Sequence, residues 1–279
     1  MEMPAVQLAE WVSWEGRTIA CWRAGTGPPV VFCHGTPWSS VVWMRYAAAL
    51  ADSFTVHLWD MPGYGRSSKD PQHPVDFGTQ AEAFVAMLGH WGLDHPHVIA
   101  HDFGGAVSLR AALVGGATYA SLLLVDVVAI PPSGSPFFRF VADHPDTLNA
   151  LPPYIHEAVL RAYVQGASCR GLPERDLAAL IAPWITEHGQ PAFYRQIAQY
   201  DEHFLVENER GLGQLAVPVR VAWGAEDRWI PPQIGRRLAE LIPGADYVEV
   251  PEAGHLIQYD APVALASMVR GWLTEQPRS

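Results

Sequence analysis

A chain of 279 residues, 49% of them hydrophobic, can bury one large core and still carry an insertion within a single domain. Its formal charge of -11 argues against nucleic acid and anionic membranes as partners, since both would repel it. No segment reaches the ~18 consecutive apolar residues of a membrane span, and Cys21, Cys33 and Cys169 lie far apart with no CxxC pair, which suggests a reducing, cytoplasmic setting and no structural metal.

At the N-terminus, Met1–Glu10 has neither the basic start nor the apolar run of a signal peptide. Strands are predicted at Thr18–Arg23, Pro29–Cys33, Phe54–Trp59, Val98–His101 and Leu122–Val125. Helical patterns at Val41–Ala51, Thr79–Trp91 and Ala106–Leu113 alternate with them. That rhythm implies an α/β fold, with a mostly parallel, doubly wound sheet. The strands are almost continuously apolar, as in a sheet buried on both faces. The rhythm breaks at Pro131-Pro132-Ser133-Gly134-Ser135-Pro136. From there to about Gly213 only helical patterns occur, among them Tyr154–Gln165, Glu174–Ile185 and Pro191–Tyr200. Strands resume at Val217–Trp223 and Ala245–Val250. A helical block at 131–213, between core segments 1–130 and 214–279, is expected above the carboxyl ends of the strands, where open α/β sheets bind ligands.

The sharpest chemical signal is His97-Val98-Ile99-Ala100-His101-Asp102-Phe103-Gly104-Gly105. A strand running into a helix through one exposed residue flanked by small ones is the layout of a nucleophile elbow. Here the apex is Asp102, not serine. A carboxylate attacking an acyl carbon makes an anhydride, whereas attacking an sp3 carbon it makes a stable alkyl ester. The chain is therefore suited to opening carbon–halogen or epoxide carbon–oxygen bonds. Three further segments end strands: His34-Gly35-Thr36-Pro37, then Trp223 to Arg228, then Glu252-Ala253-Gly254-His255; with Asp102 ahead of the last two, the chain order is nucleophile, acid, histidine.

Together these motifs resemble the α/β-hydrolase superfamily, in particular its Asp-nucleophile branch of epoxide hydrolases and haloalkane dehalogenases. The resemblance runs from about Trp14 to Leu273. HGTP is similar to the family's HGxP oxyanion motif, Asp60-Met61-Pro62-Gly63-Tyr64-Gly65-Arg66-Ser67 to its DxxGxGxS loop, and HDFGG to its HDxGG elbow. The resemblance implies a helical cap inserted after the sixth strand, and catalysis by Asp102, Asp227 and His255. It also implies an oxyanion hole from the backbone N–H groups of Thr36 and Phe103. No metal or organic cofactor is needed. The partners expected are a small hydrophobic organic substrate and water, with the protein a monomer or homodimer.

Asp126, ending Leu122–Val125, matches the alternative acid position of some dehalogenases, but Asp227 is the better match. Phe103 lacks the N–H that dehalogenases place after the nucleophile to hold a halide, which favours an epoxide. Its departing oxygen would need a proton from a cap tyrosine: Tyr154, Tyr163, Tyr194 or Tyr200. Tyr194-Arg195 resembles the family's Tyr-Arg pair, so Tyr194 is the predicted leaving-group donor. Trp38 keeps a haloalkane or haloacid dehalogenase open, and a hydrolase-fold binding protein without turnover is the alternative of another class. Gly166-Ala167-Ser168-Cys169-Arg170 imitates a serine elbow but lacks a preceding strand.

Overall fold

The computed structural model describes residues 10–276, so most of the Met1–Glu10 stretch lies outside the described residues. Eight strands form one sheet in the order β1-β2-β4-β3-β5-β6-β7-β8. They are β1 (Glu10–Trp14), β2 (Arg17–Ala24), β3 (Pro29–Cys33), β4 (Thr55–Trp59), β5 (His97–Asp102), β6 (Ser121–Val127), β7 (Val219–Gly224) and β8 (Asp246–Val250). Strand β2 is antiparallel to both its neighbours, and every pairing from β4 to β8 is parallel. The central strands β4, β5 and β6 are buried at every residue, as their largely apolar pattern leads one to expect.

Strand β1 has no counterpart among the predicted strands. It is short and largely exposed, and joins β2 through Glu15 and Gly16, both at positive φ. Two such residues make the tight turn whose twist suits a hairpin.

Helices α1 (Met44–Leu50), α2 (Phe77–Trp91) and α3 (Phe103–Leu113) follow β3, β4 and β5. Helix α2 starts on an Asp76 cap that accepts from Thr79 N and stops at Gly92 in the left-handed region. Between β6 and β7 the chain is helical: α4 (Pro136–Asp143), α5 (Pro145–Asn149), α6 (Pro153–Gln165), α7 (Glu174–Ile181), α8 (Gly189–Ala198) and α9 (His203–Gly211). The insertion follows the sixth strand. Helices α10 (Pro232–Leu241), α11 (Ile257–Asp260) and α12 (Pro262–Glu275) complete the fold. Among the described residues no helix is long and apolar enough to cross a membrane.

Candidate active site

Asp102 ends β5 with φ 50° and ψ -122°, a backbone conformation that L-residues rarely adopt. Such strain, worth about 1–3 kcal/mol, persists where the surroundings enforce it. Two glycines do so. A Cβ on Gly35 would lie 2.3 Å from the Cβ and Oδ1 of Asp102, and one on Gly105 would lie 2.3 Å from the Cβ of Val127 on β6. The β3 loop and helix α3 therefore close on the elbow from both sides.

The carboxylate is held on two sides. Thr36 N donates to Asp102 Oδ1 at 2.6 Å, and His255 Nε2 stands 3.3 Å from Asp102 Oδ2. That second contact is close enough for charge attraction but lacks hydrogen-bond geometry, leaving Nε2 without a formal partner. On its other side, His255 Nδ1 donates to Asp227 Oδ2 at 2.9 Å. Asp227 Oδ1 in turn accepts from Trp229 N and Ile230 N at 2.8 and 2.9 Å, which fixes its plane. His101, next to Asp102, donates from Nε2 to the His255 carbonyl at 2.9 Å.

Burial disfavours charge on His255, but the charge of Asp227 and the contacts with Asp102 outweigh it and hold its pKa well above the ordinary range. Asp126 is the reverse case. It is fully buried, Oδ1 accepts from Gly224 N at 2.7 Å and Oδ2 has no partner. Burial first, then the charge of Asp227, push its pKa well above the usual carboxylate range. Of the two predicted acids, only Asp227 hydrogen-bonds the histidine.

Asp102 opens onto a cavity of about 340 Å³, counting its mouth. Thr36, Phe103, Ser133, Tyr163, Tyr200 and Trp229 are among its lining residues. Ser133 hydrogen-bonds the Tyr200 hydroxyl. Trp229 stacks on Tyr163 at 4.3 Å and on His255 at 5.1 Å, joining wall to triad. Burial raises the pKa of Tyr200 to about 12, and burial with the charge of Asp102 raises that of Tyr163 further, so both phenols keep their protons near neutral pH.

Tyr194 lies apart from the other predicted residues: it is buried and absent from this cavity wall. Its hydroxyl lies 2.8 Å from His156 Nδ1. His156 Nε2 faces the Trp184 carbonyl, which can only accept, so Nδ1 must accept the Tyr194 proton. A proton committed in that way is not available to a leaving group. Of the four tyrosines weighed from sequence, Tyr163 and Tyr200 line the cavity with Asp102, while Tyr154 is exposed on the surface.

The serine-elbow imitation sits in a turn after α6, where Ser168 bonds Asp260 instead of facing a histidine. Trp38 is buried with its Nε1 unpaired and stacks on Trp229 at 5.7 Å. Trp229 was missed from sequence, although it lies only two residues beyond Asp227. Among the described residues no group of three or more His, Cys, Asp or Glu is arranged to hold a metal ion.

Comparison with known proteins agrees with this architecture. The sequence profile described as "Alpha/beta hydrolase family" matches residues 30–268. "Haloalkane dehalogenase 2" of Mycobacterium bovis is 28% identical over 261 residues, covering 88% of this chain and 87% of that protein. "Soluble epoxide hydrolase" of Corynebacterium sp. is 29% identical over 216 residues, covering 72% and 75%. Among solved structures, an alpha/beta hydrolase fold protein from Burkholderia ambifaria is 43% identical with a TM-score of 0.92, covering 96% of this chain and 98% of its own.

Proposed function

The chain belongs to the alpha/beta hydrolase family, and from that premise we propose that it hydrolyses a small epoxide to a diol through an ester on Asp102. The observation that carries this reading is one small cavity lined by a carboxylate and two protonated phenols, Asp102 with Tyr163 and Tyr200. An epoxide needs both at once: a nucleophile for ring carbon and a proton donor for ring oxygen.

In the first step an Asp102 oxygen bonds to a ring carbon while the carbon–oxygen bond breaks. The departing oxygen takes a proton from a cavity tyrosine, which recovers it from solvent. Esterification removes the negative charge of Asp102, one of the two that hold His255 protonated. His255 then loses its proton more readily, so the first step prepares the base for the second. Neutral His255, oriented by Asp227, takes a proton from water as the water attacks the ester carbonyl. The N–H groups of Thr36 and Phe103 receive the oxyanion, donors worth ~3–4 kcal/mol each in known cases. The tetrahedral intermediate collapses to diol and free carboxylate. The helices of about 131–213 serve as the cap that keeps bulk water out. Three free cysteines fit the cytoplasm as its setting.

Diol formation from 1,2-epoxybutane and bromide release from 1-bromobutane, measured on wild type, Tyr163→Phe and Tyr200→Phe, test the reading. Removing the donating hydroxyl should cut diol formation by ~100- to 10,000-fold. Bromide release as the main activity, indifferent to both substitutions, would sink the epoxide assignment. The unpaired indole N–H of Trp38 would then be the first halide donor to test.

A further inference from the structure

Asp260 ends α11 and is 5% exposed. Its carboxylate gathers donors from two separate segments. Oδ2 accepts from Gly254 N at 2.8 Å and from Cys169 N at 2.9 Å, and Oδ1 accepts from the Ser168 hydroxyl. Gly254 immediately precedes His255, whereas Ser168 and Cys169 belong to the turn after α6, within the inserted helices. The same turn holds the far side of the histidine: Leu256 N donates to the Ala167 carbonyl at 3.0 Å. Cys169 Sγ and Arg170 Nε each reach the Glu252 carbonyl at 3.2 Å. A Cβ on Gly254 would lie 2.9 Å from Ala167 O and from Cys169 N, so turn and loop meet backbone to backbone.

This turn contributes no residue to the cavity wall. Its contacts go instead to the loop that carries His255. The N–H on one side of the histidine is held by the turn, and the N–H on the other by a carboxylate bound to the turn. The His255 carbonyl is held by His101. A loop lacks the ladder of bonds that fixes a strand, and a catalytic group misplaced by about 1 Å loses on the order of 100-fold in rate.

From this clasp we infer that Asp260 is a positioning residue for His255, and that through it the turn at 167–170 sets the place of the base in the second step. The inference rests on the reading of Asp102, Asp227 and His255 as a triad, not on the choice of an epoxide. The inserted helices thus help to build the catalytic site as well as to cover it.

The test uses 1,2-epoxybutane or 1-bromobutane, whichever wild type turns over; each leaves an alkyl ester on Asp102, the second by expelling bromide. Forming that ester needs no base, whereas hydrolysing it needs His255. In Asp260→Ala, Gly254 N and Cys169 N lose their acceptor. Ester hydrolysis should slow by about 100-fold while alkylation stays within a few-fold, so the adduct accumulates in intact-protein mass spectra. Asp260→Asn keeps an oxygen for both N–H groups and turns its own N–H to Ser168 Oγ, which can accept. It should hydrolyse the ester within a few-fold of wild type. A merely structural role would depress both steps together as active protein is lost. Parallel loss, no adduct in Asp260→Ala, or an Asp260→Asn as slow as the alanine variant overturns the assignment. If Asp260→Ala does not fold, Ser168→Ala removes one bond of the clasp and should still raise the standing level of adduct; an unchanged level overturns it. If wild type turns over neither compound, the epoxide reading fails by itself, and proton NMR decides the role of Asp260. The His255 Nδ1–H on Asp227 gives a low-field resonance that His255→Gln abolishes. Kept in Asp260→Asn and lost or shifted in the alanine variant, it upholds the clasp. Behaving alike in both variants, or missing from wild type, it overturns it.

Discussion

Two aspartates end neighbouring strands within reach of one histidine, and their surroundings give them opposite chemistry. Asp227 faces His255 at 2.9 Å and is braced by two backbone N–H groups. Asp126 is walled in, with one oxygen on Gly224 N and the other unpaired. Asp227→Asn should therefore lower turnover by up to about 10,000-fold, the scale seen when a serine triad loses its orienting carboxylate. Asp126→Asn keeps the acceptor for Gly224 and removes a carboxyl whose burial disfavours ionisation. It should leave turnover within a few-fold of wild type and raise Tm, so a crippled Asp126→Asn would reverse the assignment. His255→Gln separates the two half-reactions, because alkylation needs no base whereas ester hydrolysis does. A stable adduct should accumulate, seen as a mass increase in the intact protein, and its absence with a turned-over epoxide would exclude His255 as the base. The sequence carries Asp102, Asp227 and His255 because each sits at a strand end in a motif. It places Tyr194 in the site although the side chain lies elsewhere, because motif position does not reveal which way a helical side chain faces. Tyr194 and Gln196, two residues apart, lie on nearly opposite sides of α8. One reaches His156 and the other Thr36.

At the scale of elements, the elbow depends on how closely β3, α3 and β6 approach. Gly105 is the tightest crossing between α3 and β6, with no room for even a methyl group against Val127. Gly105→Ala must push the helix off the sheet, at a cost of ~1–3 kcal/mol for an overpacked core. Its urea midpoint should fall accordingly, and turnover with it, because Asp102 caps the same helix. An unchanged midpoint would mean that the crossing is not as rigid as its spacing implies. This contact was legible in HDFGG, since small residues in an elbow signal close backbones. The inserted helices were legible as a block, because loss of the strand pattern marks them. Their cavity-facing residues were not, since all the inserted helices but α5 bury one face and that periodicity does not distinguish core from cavity. Strand β1 escaped because Glu10–Trp14 is only five residues long and lacks strict apolar–polar alternation, although the Glu15-Gly16 turn was a usable cue.

Across the whole molecule, proton linkage is set by buried histidines. Burial lowers the pKa of His34, His57, His97, His101 and His156, that of His57 to about 4. Such groups bind fewer protons folded than unfolded below their ordinary value of 6.5, so stability falls as pH drops through that window. Each contributes up to about 1.4 kcal/mol per pH unit. His255 is shifted the other way: its contribution is complete below 6.5 and is lost only as pH rises through its elevated folded value. Asp126 opposes the histidines above its ordinary 3.8, since the folded state holds its proton while the unfolded state releases it. Five lowered histidines outweigh that single carboxyl, so Tm should fall steeply from pH 6.5 to 4.5. His57 isolates one part of the slope. Both its ring nitrogens are buried without partners, and its ring lies 4.8 Å from that of Trp91. His57→Leu keeps an apolar group of similar volume and removes the proton site. Its Tm gain over wild type should be larger at pH 4.5 than at pH 7, and equal gains at both would show that His57 is not titrating in the unfolded chain's place.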